Sequence, residues 1–211
     1  METTGIIANA AELLEERMTM ERIRAQADKI LQDLGLLDKL KKYGTPHVIG
    51  SYSMNTMVWN DLDIDVSNEK MDLDRLYQLT DEILRDFHPT WYEAKQVRDN
   101  SGKTVWFHGF EAYFFNELWN VDIWFFDDET IRAAERFCDR VGRELALDSA
   151  KSSAVIRIKE HLIAKGMYPG RYTSMDVYQA VLGDGVRTGE AFLARNSESV
   201  SCFTEQMTKV R

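Results

Sequence analysis

The sequence predicts an α+β protein in which a mixed β-sheet core with flanking helices is followed by a C-terminal helical bundle. Three observations predict it. Between residues 45 and 126, several short apolar segments alternate with the period of two that strands require. Amphipathic helices precede and interrupt those segments. From Asp128 onward apolar residues recur at helical spacing almost to the end. The expected division is 1–127 for the sheet core with its N-terminal helix and 128–211 for the helical region.

Taken in order, Leu13, Leu14, Met18, Ile23, Ala27, Ile30, Leu31 and Leu34 recur at helical spacing from about Ala8 to Leu34, and Gly35 supplies a stop. The short PHVIGSY is apolar and ends in small residues. In NDLDIDVSN strict alternation marks a strand with Leu62, Ile64 and Val66 on the inner face and Asp61, Asp63 and Asp65 on the other. Asp72 to Phe87 is expected to be a helix. Three further strands are expected over Thr90 to Asp99, Lys103 to Phe115 and Leu118 to Phe126, joined by Asn-Ser-Gly and Asn-Glu turns, for a sheet of about five strands. Breaks in the helical half fall near Asp148, at Tyr168-Pro169-Gly170 and near Gly183 to Gly185.

Bulk composition narrows the partners. With 26 Lys and Arg against 35 Asp and Glu, the formal charge of −9 disfavours a long nucleic acid, which binds basic surfaces by releasing counterions. A nucleotide is still compatible, because divalent cations screen a triphosphate inside an acidic protein. Cys138 and Cys202 form no CxxC motif, so neither a zinc site nor a disulfide scaffold is expected. No segment has the length and apolarity of a membrane span or secretion signal, and the expected location is the cytoplasm.

The candidate chemistry lies in the carboxylates. Residues i and i+2 of a strand project from one face, so Asp61-Leu62-Asp63 forms half of a cage for two metal ions. In LWNVDIWFF, Asp122 stands alone among apolar residues, costly there unless something charged meets it. Two metal ions roughly 3.5 to 4 Å apart neutralise a triphosphate during in-line transfer. The blander alternatives are a charged edge strand that deters aggregation for Asp61 to Asp65, and an edge residue or turn cap for Asp122. Carboxylates crowded on one strand face repel each other unless cations sit among them.

These residues carry a resemblance. The stretch VIGSYSMNTMVWNDLDIDV, an apolar strand ending in Gly-Ser, a gap of about ten residues and an Asp-x-Asp strand, resembles the signature of the DNA polymerase β-like nucleotidyltransferase superfamily. Trp59 before the Asp-x-Asp, and Trp119-Asn120-Val121-Asp122 at the third carboxylate, are most similar to small bacterial members allied to antibiotic nucleotidyltransferases. The resemblance covers roughly residues 45 to 127. It implies that Asp61, Asp63 and Asp122 are catalytic and bind Mg²⁺ or Mn²⁺, and that Gly50 and Ser51 bind the NTP co-substrate. Tyr52 to Asn60 departs from the pattern of many relatives in having no Lys or Arg. Asp63 and Asp65 form a second, overlapping pair; the first is favoured because Trp59-Asn60 precedes it.

Positive charge for the phosphates would then come from elsewhere. Lys151, Arg157, Lys159 and Lys165 are candidates, although such a run more often forms a solvated helix face. Tyr172 and Tyr178 suit base stacking but equally a helical core. His47, His88, His108 and His161 show no metal spacing, and Glu93 or Glu111 are weak choices for a general base. The leading expectation is an enzyme that moves an NMP from an NTP to a hydroxyl of a small molecule, releasing pyrophosphate. Asp63-Ile64-Asp65-Val66-Ser67 loosely resembles the nucleophile loop of haloacid-dehalogenase-type phosphatases, but no apolar strand precedes it. A catalytically degenerate, antitoxin-like regulatory protein of the same fold is the remaining alternative.

Overall fold

A computed structural model of the chain describes residues 2–99 and 102–196, with side chains from residue 17 onward. Cys202, the side chains of Leu13 and Leu14, and most of the Asn-Ser-Gly turn lie outside the described residues. The chain divides into two compact units, 1–142 and 143–211.

Unit 1 opens with α1 (Glu2–Leu31) and α2 (Leu36–Leu40), separated at Gly35, whose φ of 74° is the left-handed conformation that glycine adopts without steric cost. There follow β1 (Thr45–Val48), the single turn α3 (Gly50–Ser53), β2 (Asp61–Ser67) and α4 (Leu73–Phe87). Asp72 starts α4 by accepting a hydrogen bond from the Arg75 amide at 2.9 Å, as an N-cap should. Next come β3 (Trp91–Arg98), β4 (Thr104–Phe114) and β5 (Glu117–Phe126). The helix α5 (Asp128–Leu147) runs across the boundary between the units.

The five strands form one sheet in the order β1-β2-β5-β4-β3. Only β2 and β5 pair in parallel; the other neighbours are antiparallel, so the sheet is mixed. Alternation sorts its two faces. Leu62, Ile64, Val121, Ile123 and Phe110 are fully buried on one face, in a core with Leu79 and Ile83 of α4 and Ala27 and Ile30 of α1. Neither β2 nor β5 is an edge strand, which overturns the edge-strand alternative for both carboxylate segments.

His108 of β4 lies on the core face, fully buried. The Thr80 hydroxyl donates to the Leu76 carbonyl at 2.8 Å, so the Tyr92 hydroxyl, 2.7 Å from Thr80, must donate to it and accept from His108 Nδ1 at 2.6 Å. His108 Nε2 then faces the core as a bare acceptor without a partner. Burial pushes the imidazole down to about 4 from 6.5. The unfolded chain therefore binds the extra proton first, and the folded state loses stability as pH falls from about 6.5 toward 4. Asp65, raised from 3.8 to about 7 mainly by burial, acts in the opposite sense across that whole window. The contribution of His108 is thus read as a difference. The stability lost by wild type between pH 7 and pH 5 should exceed that lost by His108→Gln by about 2 kcal/mol in urea unfolding. Equal losses would show that the imidazole is protonated in the fold.

Unit 2 is helical. In α6 (Ser149–Ala164) the Asp148 side chain caps the Ala150 and Lys151 amides, and α7 (Ser174–Tyr178) begins with a capping box between Thr173 and Asp176. A π-helical turn, Gln179–Gly183, follows. The basic run is not a uniformly solvated face: Lys159 is fully buried, its ammonium 3.1 Å from the Tyr178 hydroxyl and 4.9 Å from that ring's centroid. Tyr178 is likewise buried, and Tyr172 meets the Phe192 ring edge-on at 5.0 Å.

Candidate active site

The face of the sheet opposite the core carries the carboxylates. Asp63 of β2 and Asp122 of β5 are partners in the parallel register, and Asp61 lies opposite Asn120. Paired residues on neighbouring strands are about 4.8 Å apart and project to the same side, so Asp63 and Asp122 stand side by side. Asp61, Asp63 and Asp122 all keep some contact with solvent, whereas Asp65 is 3% exposed. The register brings Asp61, Asp63 and Asp122 onto one patch in the middle of the sheet.

Gly50 and Ser51 reach the same patch through α3. The Ile49 amide donates to the Asp63 carbonyl at 3.0 Å, fixing the end of β1 beside β2. Gly50 has φ of 66°, and a methyl group on its Cα would lie 2.1 Å from Asp63 Oδ2. The Asp63 carboxylate therefore rests directly against the Gly50 backbone, and only glycine leaves room for it. Ser51 is buried at 6% exposure and its hydroxyl has no hydrogen-bond partner. A buried hydroxyl left unsatisfied costs on the order of 1 to 3 kcal/mol, the signature of a group awaiting a ligand. Tyr52 anchors the turn to α1: its hydroxyl donates to Asp28 at 2.7 Å, and the Arg24 guanidinium lies 4.0 Å above its ring.

The electrostatics follow from crowding and burial. Burial raises the Asp122 carboxyl above the usual range, offset by a hydrogen bond from Asn120 and by the Lys95 charge, while Glu93 adds to the rise. Asp65 is pushed up to about 7 by burial first and then by Asp63, with His47 opposing and Glu135 reinforcing. His47 Nδ1 lies 2.7 Å from Glu135 of α5, so the end of β2 that bears Asp65 faces this hydrogen-bonded pair.

Lys95 supplies part of the positive charge absent from Tyr52 to Asn60. It sits on β3, paired with Glu93 at 2.9 Å, and Arg24 is a second cation in the same unit. Its sequence signal was the alternation of β3, which sends Glu93 and Lys95 to one face. Glu93 lies opposite Gly109, which lies opposite Asp122, so Glu93, Gly109, Asp122 and Asp63 form one row across the sheet. Glu111 belongs to the next row, opposite Asn120. Asn120, present in the Trp119 to Asp122 segment but given no role by sequence, touches both Asp61 and Asp122.

Among the described residues, no three His, Cys, Asp or Glu side chains gather closely enough to hold a metal ion by themselves. The donor set still fits Mg²⁺ or Mn²⁺ brought in with a nucleotide. Such ions are commonly held by one or two carboxylates plus substrate phosphates, and not by an all-protein cage. Adjacent carboxylates in register, one with a raised pKa and one packed on the turn that carries an unpartnered serine hydroxyl, suit that division of ligands.

The fold so assembled is shared with solved structures of nucleotide polymerases. Among solved structures it resembles the Cid1 poly(U) polymerase bound to MgGTP, with a TM-score of 0.56, 18% identity, and coverage of 76% of this chain and 50% of that one. It also resembles a poly(A) polymerase complex, GLD-2 with GLD-3, with a TM-score of 0.50, 16% identity, and coverage of 78% and 57%. The chain thus spans about half the length of the structures it matches. No family model matches the sequence, and no curated protein matches it. Among the described residues no helix is long and apolar enough to cross a membrane.

Proposed function

We propose that this chain is a nucleotidyltransferase that moves an NMP from an NTP to a hydroxyl of a small molecule. The observation that carries the proposal is the registered pair Asp63 and Asp122, with Gly50 packed on Asp63 and the unpartnered Ser51 hydroxyl beside it. In the reaction the acceptor oxygen bonds to the α-phosphorus, the bond from that phosphorus to the bridging oxygen breaks, and pyrophosphate leaves with the electron pair. The acceptor proton passes to a base or to solvent.

Asp61, Asp63 and Asp122 would hold Mg²⁺ or Mn²⁺, which supplies charge neutralisation on the triphosphate and Lewis acidity at the reacting phosphorus. Ser51 donates its hydroxyl to a phosphate oxygen, and the Gly50 backbone lets that phosphate approach. Lys95 adds positive charge beside Asp122. Glu93, on the same row of the sheet, is the candidate to take the acceptor proton. The formal charge of −9 favours a small or cationic acceptor over a polynucleotide. The solved structures similar in fold are those of RNA-extending polymerases, so RNA belongs among the acceptors tried.

Ligands that bind only the folded state stabilise it by RT ln(1 + [L]/Kd), about 2.7 kcal/mol at a hundred times Kd. Millimolar Mg²⁺ with an NTP should therefore raise the melting temperature by several degrees, Mg²⁺ alone should raise it less, and Asp122→Asn should abolish the joint effect. Melts unmoved by metal and every NTP in both proteins would sink the site. Stabilisation with no pyrophosphate released to any acceptor would favour the degenerate, regulatory alternative.

A further inference from the structure

The structure assigns a positioning role to Asn120, resting on the nucleotidyltransferase function proposed above: its side-chain amide ties two of the metal-binding carboxylates together and presets the site for a divalent cation. Asn120 and Asp122 are i and i+2 on β5, so their side chains share a face. Asn120 is also the register partner of Asp61 on β2, and its Nδ2 donates to Asp61 Oδ1 at 2.7 Å. The same side chain, on the same face of β5, is hydrogen-bonded to Asp122 as well. One amide thus connects carboxylates from two strands.

The backbone holds Asn120 where this is possible. Its own amide donates to the Asn60 carbonyl at 2.9 Å, and the Asn60 side chain donates to Glu117 at 3.0 Å and to the Leu118 carbonyl at 3.2 Å. The starting end of the β2 and β5 pairing is therefore fixed on both strands. An amide with two hydrogens is the side chain suited to the place. Aspartate would add a further negative charge among three, and leucine of similar size would leave the carboxylate oxygens without their donors and free to swing apart. Partners that orient metal ligands typically affect metal affinity or activity by about 10- to 100-fold.

The test measures free and bound Mn²⁺ by electron paramagnetic resonance, titrated into the full chain with a non-hydrolysable NTP. Wild type is compared with Asn120→Leu, which has no donor, and Asn120→Thr, which retains one and suits a strand should the leucine variant fail to fold. The half-saturating Mn²⁺ concentration should rise about 10- to 100-fold in Asn120→Leu and less in Asn120→Thr. At saturating Mn²⁺ the Kd for the NTP analogue should stay near wild type, a split that general loosening of the fold would not give. Equal Mn²⁺ titrations in wild type and both folded variants would overturn the role of Asn120 while leaving the nucleotidyltransferase proposal standing. No Mn²⁺ bound by wild type in the presence of nucleotide would overturn both.

Discussion

Asp63→Asn is expected to cut metal-dependent pyrophosphate release about a thousandfold or more, since metal ions at the reacting phosphate contribute several kcal/mol of transition-state stabilisation. Asparagine keeps the shape and removes the charge, so the loss should come without collapse of the fold. Asp63 lies against Gly50 on one side and opposite Asp122 on the other, the most central position of the three. Asp61→Asn should be nearly as severe. Asp65→Asn should be partial, because Asp65 is buried toward His47 and Glu135 and already has a carboxyl shifted up to about 7. Turnover measured at saturating Mg²⁺ for all three variants checks the order. If Asp61→Asn kept most of its activity while Asp65→Asn lost it, the metals would lie two residues further along β2.

Gly50→Ala should be damaging for two separable reasons. A non-glycine residue held at φ of 66° costs on the order of 1 to 3 kcal/mol, and the new methyl would collide with Asp63 Oδ2 at 2.1 Å. The collision can be relieved only by moving the carboxylate and the Gly50–Ser51 turn apart. Stability should therefore fall by a few kcal/mol, and NTP-dependent turnover should be lost in whatever protein remains folded. Gly50→Ala at wild-type stability with full activity would mean that the turn at α3 is not pinned to Asp63.

Much of this arrangement was legible in the sequence. Alternation in NDLDIDV and LWNVDIWFF separates the buried Leu62, Ile64, Val121 and Ile123 from Asp61, Asp63 and Asp122, because the period of a strand survives any tertiary context. The helix α4 was legible for the same local reason. Register was not. That Asp63 meets Asp122, and that Asn120 meets Asp61, depends on the parallel pairing of two strands far apart in sequence, which no local pattern encodes. Burial by tertiary packing was hidden too. Lys159 occurs in a run that suits a solvated helix face, yet it packs against Tyr178, and His108 alternates with apolar residues that give no hint of its chain of hydroxyl partners.

The most direct test of the central claim is a crystal of the protein soaked with Mn²⁺ and a non-hydrolysable NTP, read by anomalous scattering. The account predicts manganese at Asp63 and Asp122, shared with phosphate oxygens, and a phosphate within hydrogen-bond distance of the Ser51 hydroxyl. Manganese found instead beside Asp65, His47 and Glu135, with no phosphate at Ser51, would contradict it.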